Sequence, residues 1–215
     1  LYPGFVEFVE YLKRLSLQVA VVSNGSRNDR ILRIAPFLTK GDWVRLSLDS
    51  GSNDTFRRMH HPSSKTLTLD EICSFIPQIK AVNPDFEMGF SFVITWRGSA
   101  RGDTKVVENL HEIAAAAERA ERSGFDYISY KPFLERTGDG SEVLDPSKVE
   151  AELQDVIARI RSGVDLARKL ERKGFRVMES TNLRVLMAGT WRDYTHQPKT
   201  CHMQLLRQVV TPLGT

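Results

Sequence analysis

Apolar positions in this chain switch between two rhythms. Phe5, Phe8, Val9 and Leu12 recur at helical spacing over residues 4–15 and lead into Val19-Ala20-Val21-Val22, which predicts a helix and then a strand at 18–23. A helix over about 27–38 connects to a second apolar run at 43–48. The polar stretch Ser50–Thr66 predicts a short helix and a loop broken by Pro62. Leu69–Val82 has helical periodicity, with Asp70 near its start and Asn83-Pro84 as its stop. Met88–Ile94 is a strand, followed by a polar, glycine-containing loop and an alanine-rich helix over about 105–123, closed by Gly124. Residues 125–130 are a further strand, and Gly138 and Gly140 mark a loop. A long helix from Pro146 to about Lys173 then precedes a short strand at 175–178. Beyond residue 181 the periodicity fades, and the segment holding Trp191, His196, Pro198 and Cys201 reads as irregular.

Strands that alternate with helices predict an α/β fold with a parallel sheet and right-handed crossovers, either open or part of a barrel. Two strand ends carry the chemistry. Val22-Ser23-Asn24-Gly25 and Leu46-Ser47-Leu48-Asp49-Ser50-Gly51 both turn abruptly from apolar to hydroxyl, amide and carboxylate groups. The carboxyl edge of a parallel sheet is where such folds bind ligands.

Composition narrows the class without naming a function. With 215 residues, 41% hydrophobic and 27% charged, the chain has the balance of a globular protein able to bury a substantial core. Its net charge of +3 comes from interspersed Lys, Arg, Asp and Glu, so no concentrated basic face points to nucleic acid. No apolar stretch has the length of a membrane span. Two cysteines, Cys73 and Cys201, make no disulfide framework and suit a reducing cytoplasm. Leu1 and Thr211-Pro212-Leu213-Gly214-Thr215 both look like cut ends, so the chain reads as an internal piece of a longer protein.

Several stretches, in order, resemble a radical S-adenosylmethionine enzyme lacking its first strands. They are Leu1-Tyr2-Pro3-Gly4-Phe5, Val22-Ser23-Asn24-Gly25, Val44-Arg45-Leu46-Ser47-Leu48-Asp49 and Thr55-Phe56-Arg57-Arg58. Asn109-Leu110-His111-Glu112-Ile113 and Gly124-Phe125-Asp126-Tyr127-Ile128-Ser129 complete the set. None is specific alone; their order and spacing carry the likeness over nearly the whole chain. The resemblance implies a partial (β/α)6 TIM-like barrel over residues 1–180. Residues 181–215 would begin an irregular, cysteine-containing extension of the SPASM or Twitch type. It also implies S-adenosylmethionine and a 4Fe–4S cluster held by a CxxxCxxC loop, which cleaves the sulfonium to a 5′-deoxyadenosyl radical that abstracts hydrogen from a substrate. An external electron donor such as flavodoxin or ferredoxin would serve it. The chain contains no such cysteine triplet, so the activity would belong to the longer protein and the piece alone would be inert.

The resemblance implies cofactor contacts at Ser23, Asn24, Ser47, Asp49, Arg58 and Lys131. Each also has a plainer reading. Ser47 and Asp49 share a strand face and suit the cofactor's ribose hydroxyls or amino group, or else Asp49 caps the next turn. Arg58, or Arg57 one position away, would reach a carboxylate, or lie in solvent. Ser23 and Asn24 line the mouth or form a simple turn, and Lys131 meets the cofactor, an anionic substrate or solvent. Asn109 would simply lie early in a helix. Cys201 would ligate an auxiliary iron–sulfur cluster, whereas Cys73, beside Ile72, Phe75 and Ile76, belongs to the core. His60-His61 reads as a loop without a third metal ligand. The loop Trp96–Lys105, with Arg97, Arg101 and Asp103, is long for the family and would bear on the substrate, which stays unidentified. A non-catalytic α/β module binding a nucleotide or sugar at the same edge is the competing reading.

Overall fold

The computed structural model describes residues 3–62, 66–101, 104–136, 142–144, 146 and 151–194. In chain order, helix α1 (Phe5–Arg14) leads to strand β1 (Ala20–Ser23), and α2 (Asn28–Ile34) leads through a 3₁₀ turn to β2 (Trp43–Ser47). Two helices, α3 (Asn53–His60) and α4 (Leu69–Val82), precede β3 (Glu87–Ile94). A small hairpin of β4 (Ala100–Arg101) and β5 (Thr104–Lys105) follows, then a 3₁₀ turn (Leu110–Glu112) running into α5 (Ile113–Ser123). β6 (Tyr127–Pro132) is succeeded by a second hairpin, β7 (Glu135–Arg136) with β8 (Glu142–Val143). The described chain closes with α6 (Leu153–Arg168), β9 (Arg176–Glu179), α7 (Thr181–Ala188) and a 3₁₀ turn (Trp191–Tyr194).

Local chemistry sets these boundaries. Side chains of Ser52, Thr68 and Ser180 accept hydrogen bonds from the backbone N–H groups of Thr55, Glu71 and Leu183, capping α3, α4 and α7. Gly124, at φ 85°, closes α5 in the left-handed conformation that favours glycine. The alanine-rich helix begins later than its composition suggests, because residues before Leu110 are committed to the β4–β5 hairpin and to bonds with β3. Residues 181–188 are helical where periodicity predicts irregular chain. Only Leu183 and Leu186 are buried in that short helix, too few to make an apolar stripe visible. They join the main core, so α7 packs beside α6 and the end of β6.

The five longer strands form one parallel sheet in the order β1-β2-β3-β6-β9, which is their order in the chain. A doubly wound sheet must reverse its strand order somewhere. With no reversal, right-handed crossovers put the connecting helices on one side. The chain is therefore an α/β protein whose sheet is wound in one direction, as in part of a TIM-like barrel.

The two faces differ in chemistry because of this winding. Val44, Leu46, Met88, Phe90, Phe92, Ile94, Ile128 and Tyr130 point to the helices and are buried. Phe92 and Tyr130 meet edge to face at 5.6 Å, and the Tyr130 hydroxyl donates to the Ile113 carbonyl at 2.6 Å. Alternate residues on β2, β3 and β6 face the other, inner side. Register places Arg45, Gly89, Tyr127 and Arg176 in one row and Ser47, Ser91, Ser129 and Met178 in the next. A Cβ on Gly89 would lie 2.2 Å from the Tyr127 ring, so that ring lies across the glycine. No helix among the described residues is long and apolar enough to cross a membrane.

Asp42 ties the amino ends of β1 and β2 to α1. It is 1% exposed, and its carboxylate accepts from the backbone N–H of Val19 (2.7 Å) and Thr39 (2.6 Å) and from Lys13 Nζ (2.6 Å). Burial alone would raise its pKa, but the bonds from Lys13, Val19 and Thr39 outweigh it and hold the carboxyl below its usual range. Replacing Asp42 with Ala orphans these donors and should cost about 3 kcal/mol, read as a lower urea midpoint. Because the folded pKa is depressed, this stabilisation is present above the unfolded carboxylate pKa of about 3.9. It is lost as pH falls through the folded value. Asp42→Ala should therefore flatten the acid limb of the stability curve, and an unchanged limb would contradict the assignment.

Candidate functional site

The carboxyl edge of β2 ends in a loop that the chain holds from a distance. Asn109 is fully buried, and its side-chain NH2 donates to the carbonyls of Asp49 and Val93, each at 2.8 Å. Its side-chain oxygen accepts from Thr95 N–H at 2.8 Å, and its own N–H donates to the Thr95 carbonyl at 3.1 Å. Glu112, three residues on, takes the rest of the loop. Its carboxylate accepts from Gly51 N–H (2.7 Å), from the Ser52 hydroxyl and from the Thr55 hydroxyl (2.9 Å). Burial alone would raise the Glu112 carboxyl, but the bonds from Ser52, Gly51 and Thr55 prevail and lower it.

Gly51 is required by close approach. A Cβ there would stand 2.9 Å from the Ala116 backbone nitrogen, and the Gly51 carbonyl accepts from Arg119 Nε at 2.8 Å. The loop thus lies directly on α5.

Within this clamp Asp49 adopts φ 51°, a left-handed conformation uncommon outside glycine but tolerated by aspartate. Its Oδ1 accepts from Val93 N–H at 2.7 Å, bridging β2 to β3. Its Oδ2 lies 3.5 Å from His60 Nε2, which itself lies 3.0 Å from the Leu48 carbonyl. Burial pushes the Asp49 carboxyl up, opposed by the Val93 bond and by the charges of His60 and Lys131. Burial and the nearby Arg45 push Lys131 down, opposed by Asp49.

The other expected contacts divide between edge and surface. Ser47 and Lys131 face the inner side, half-buried. Asn24 is exposed; its Oδ1 accepts from Ser26 N–H at 3.1 Å and from the Ser26 hydroxyl at 2.8 Å, as in an Asx turn. It also lines a cleft of 460 Å³ with Arg27, Phe56, His60 and Leu67. Ser23 shares the parity of buried Val21, toward the helices, and its hydroxyl accepts from Gly25 N–H at 3.2 Å. Arg58 is 60% exposed and lies 3.8 Å from Asp54, and Arg57 is exposed as well. Cys201 lies outside the described residues, and Cys73 is buried, with burial pushing its thiol up. Among the described residues no group of three or more His, Cys, Asp or Glu side chains converges as for a metal.

His60 is the residue that sequence reasoning placed poorly. It is the last residue of α3, its ring 5.0 Å from Phe56 one turn earlier, and the helix swings it over the β2 edge. The i, i+4 spacing of Phe56 and His60 was the available signal.

No protein-family model matches the sequence, and no curated protein matches it. The solved structure "QR15, an Aldolase" is similar at 12% identity over 90% of each chain, with a TM-score of 0.36.

Two outcomes test the clamp. Asn109→Ala strands one backbone donor and two carbonyls and should lower stability by about 3 kcal/mol, seen in urea unfolding. For Asp49, a folded pKa raised above the unfolded value means that stability declines as pH rises from about 3.9 through the folded value. Asp49→Asn should remove that decline; an identical pH profile would show that Asp49 is not the group responsible.

Proposed function

We propose that this chain is the barrel portion of a radical S-adenosylmethionine enzyme, with the cofactor at the carboxyl edge of the sheet and the substrate against the inner face. The observation that carries this reading is the clamp itself. Asp49 and Asn109, 60 positions apart, belong to two of the stretches on which the family resemblance rests, and they form one hydrogen-bonded unit. A chance likeness of short strings has no reason to make its separate parts converge at a ligand-binding edge.

The donors present suit the cofactor. Ser47 and Asn24 offer a hydroxyl and an amide for ribose hydroxyls. Asp49, with Oδ1 committed to Val93 N–H, keeps Oδ2 for a cationic amino group. His60 Nε2 stands 3.5 Å from Oδ2 on the helix side, and Asn109 and Glu112 fix the loop that presents it. Arg58 contributes charge at the surface only. When bound, S-adenosylmethionine and a 4Fe–4S cluster supply hydrogen-atom abstraction, driven by an external donor such as flavodoxin or ferredoxin. The chain's own part is to orient the cofactor and to keep the reacting face dry, for which the buried aromatic layer behind the sheet provides a rigid support.

The complete protein, reconstituted anaerobically with iron and sulfide, should form 5′-deoxyadenosine from S-adenosylmethionine. Ser47→Ala should weaken cofactor binding by about 1–3 kcal/mol in calorimetry. Cys201→Ser should lower the iron content if Cys201 holds an auxiliary cluster, whereas equal iron would make it structural. Absence of 5′-deoxyadenosine with a loaded cluster would remove the radical chemistry and leave an α/β ligand-binding module.

A further inference from the structure

The inner face carries polar groups that no described residue satisfies. Ser47, Ser91 and Ser129 are register partners on three adjacent strands, so they form a straight row with neighbours about 4.8 Å apart. Ser91 and Ser129 are buried, at 3% and 8% exposure, yet none of the three hydroxyls hydrogen-bonds to a described residue. They line the face of the sheet away from the helices.

Two cations flank the row. Arg45 lies one row toward the amino ends, stacked at 5.2 Å over Trp43, and its buried Nε has no hydrogen-bond partner. Lys131 lies one row toward the carboxyl ends, paired in register with Val93, and makes no hydrogen bond or ion pair with a described residue. It borders a cleft of 240 Å³ with Phe133, Ser180 and Asn182. Register sets the two on the same face, one on either side of the serine row, and the Arg45 charge joins burial in pushing Lys131 down. Like charges held together on a partly buried face are unfavourable unless something anionic compensates them.

The compensation available from the protein is incomplete. Arg176, on the same face, is already paired with Glu87 at 2.6 Å. Among the described residues the carboxylate whose charge bears on Lys131 is Asp49, and it is engaged by Val93 N–H. Among the described residues, two cations against one carboxylate leave a single positive charge over a row of hydroxyls. This balance suits a monoanion better than a phosphate dianion.

We infer that the inner face between Arg45 and Lys131 binds the substrate, and that the substrate is a small, hydroxyl-bearing carboxylate laid along Ser47, Ser91 and Ser129. This deepens the proposed function and rests on it for the word substrate; the anion site itself rests on the serine row and its two flanking cations. Arg45 and Lys131 take the carboxylate by charge-assisted bonds, and the three hydroxyls exchange bonds with the ligand's own. The Tyr127 ring, lying across Gly89, forms the floor below the row.

The test is binding of sodium gluconate to the 215-residue chain at constant ionic strength, followed by amide shifts in an ¹⁵N-labelled sample, with glucose and inorganic phosphate as companions. Gluconate should give saturable shifts centred on Ser47, Ser91, Ser129 and Lys131, and glucose should not. Arg45→Gln and Lys131→Gln should each weaken gluconate by about tenfold, the equivalent of one lost charge-assisted bond. Arg45→Lys should retain binding, and the dispersed amide spectrum of each variant reports its folding. Gluconate shifts that are absent, that match those of glucose, or that survive both Gln substitutions would overturn the site. Phosphate binding there as tightly as gluconate would overturn the carboxylate assignment. A complete protein that makes no 5′-deoxyadenosine would remove the cofactor reading and leave this result standing. One that makes it while gluconate fails would remove the anion site alone.

Discussion

The side-chain amide of Asn109 is the constraint on which the carboxyl edge depends. Parallel strands can pair along their lengths and still leave their ends free, because a strand that turns away from the sheet exposes backbone groups with no ladder partner. Asn109 supplies the missing partners on the turn after β2 and on β3 together, through one buried side chain. A net hydrogen bond contributes only about 0.5–1.5 kcal/mol when water can replace it, and considerably more when its loss leaves a group buried and unpaired. The left-handed backbone of Asp49 costs about 1 kcal/mol or somewhat more. The bonds made by Asn109 and by Val93 N–H are sufficient to hold it. Glu112 extends the same arrangement to the start of α3, so the edge behaves as a single rigid piece.

This rigidity sits on a sheet with two unlike faces. Winding in one direction places the helices together, and the face beneath them becomes a continuous apolar layer of Phe, Ile, Leu and Met with a hydrogen-bonded Tyr130. The opposite face is freed from that demand and can carry Arg, Ser, Lys and Tyr. A doubly wound sheet, covered on both sides, would have had to bury those groups under helices. The polar inner face is thus a consequence of topology as much as of composition, and it is why polar side chains concentrate on one side of the sheet.

Much of the architecture is legible in the residue pattern. Periodicity and stop signals place α4 at Leu69–Val82, as found, and mark all five strands of the main sheet within a few residues. The polar strand ends at Ser23-Asn24 and Ser47–Asp49 fall, as expected, at the carboxyl edge of the sheet. What periodicity does not show is which polar residues the fold consumes. Asn109 reads as an ordinary helix start, yet its bonds go to the turn after β2, to β3 and to the loop beyond β3. Arg58 looks equivalent to its neighbours and projects into solvent, while His60, two positions on, is carried over the edge by the turn of α3. The serine row is invisible in one dimension, because Ser47, Ser91 and Ser129 become neighbours only through strand register. The α7 helix escapes notice because it is short and buries only two leucines.

The clamp also bears on the timing of assembly. The turn after β2 is organised by side chains that appear some 60 residues later in the chain. During synthesis, β1 and β2 can pair while Asp49–Ser52 still lacks the groups that shape it. The rim of the barrel therefore matures only after α5 has emerged and closed a long loop, an entropic step that must precede its reward. Until then the nascent chain holds a sheet whose carboxyl edge is unfixed, and its final shape is deferred to a late stage of folding by the same residues that later make it rigid.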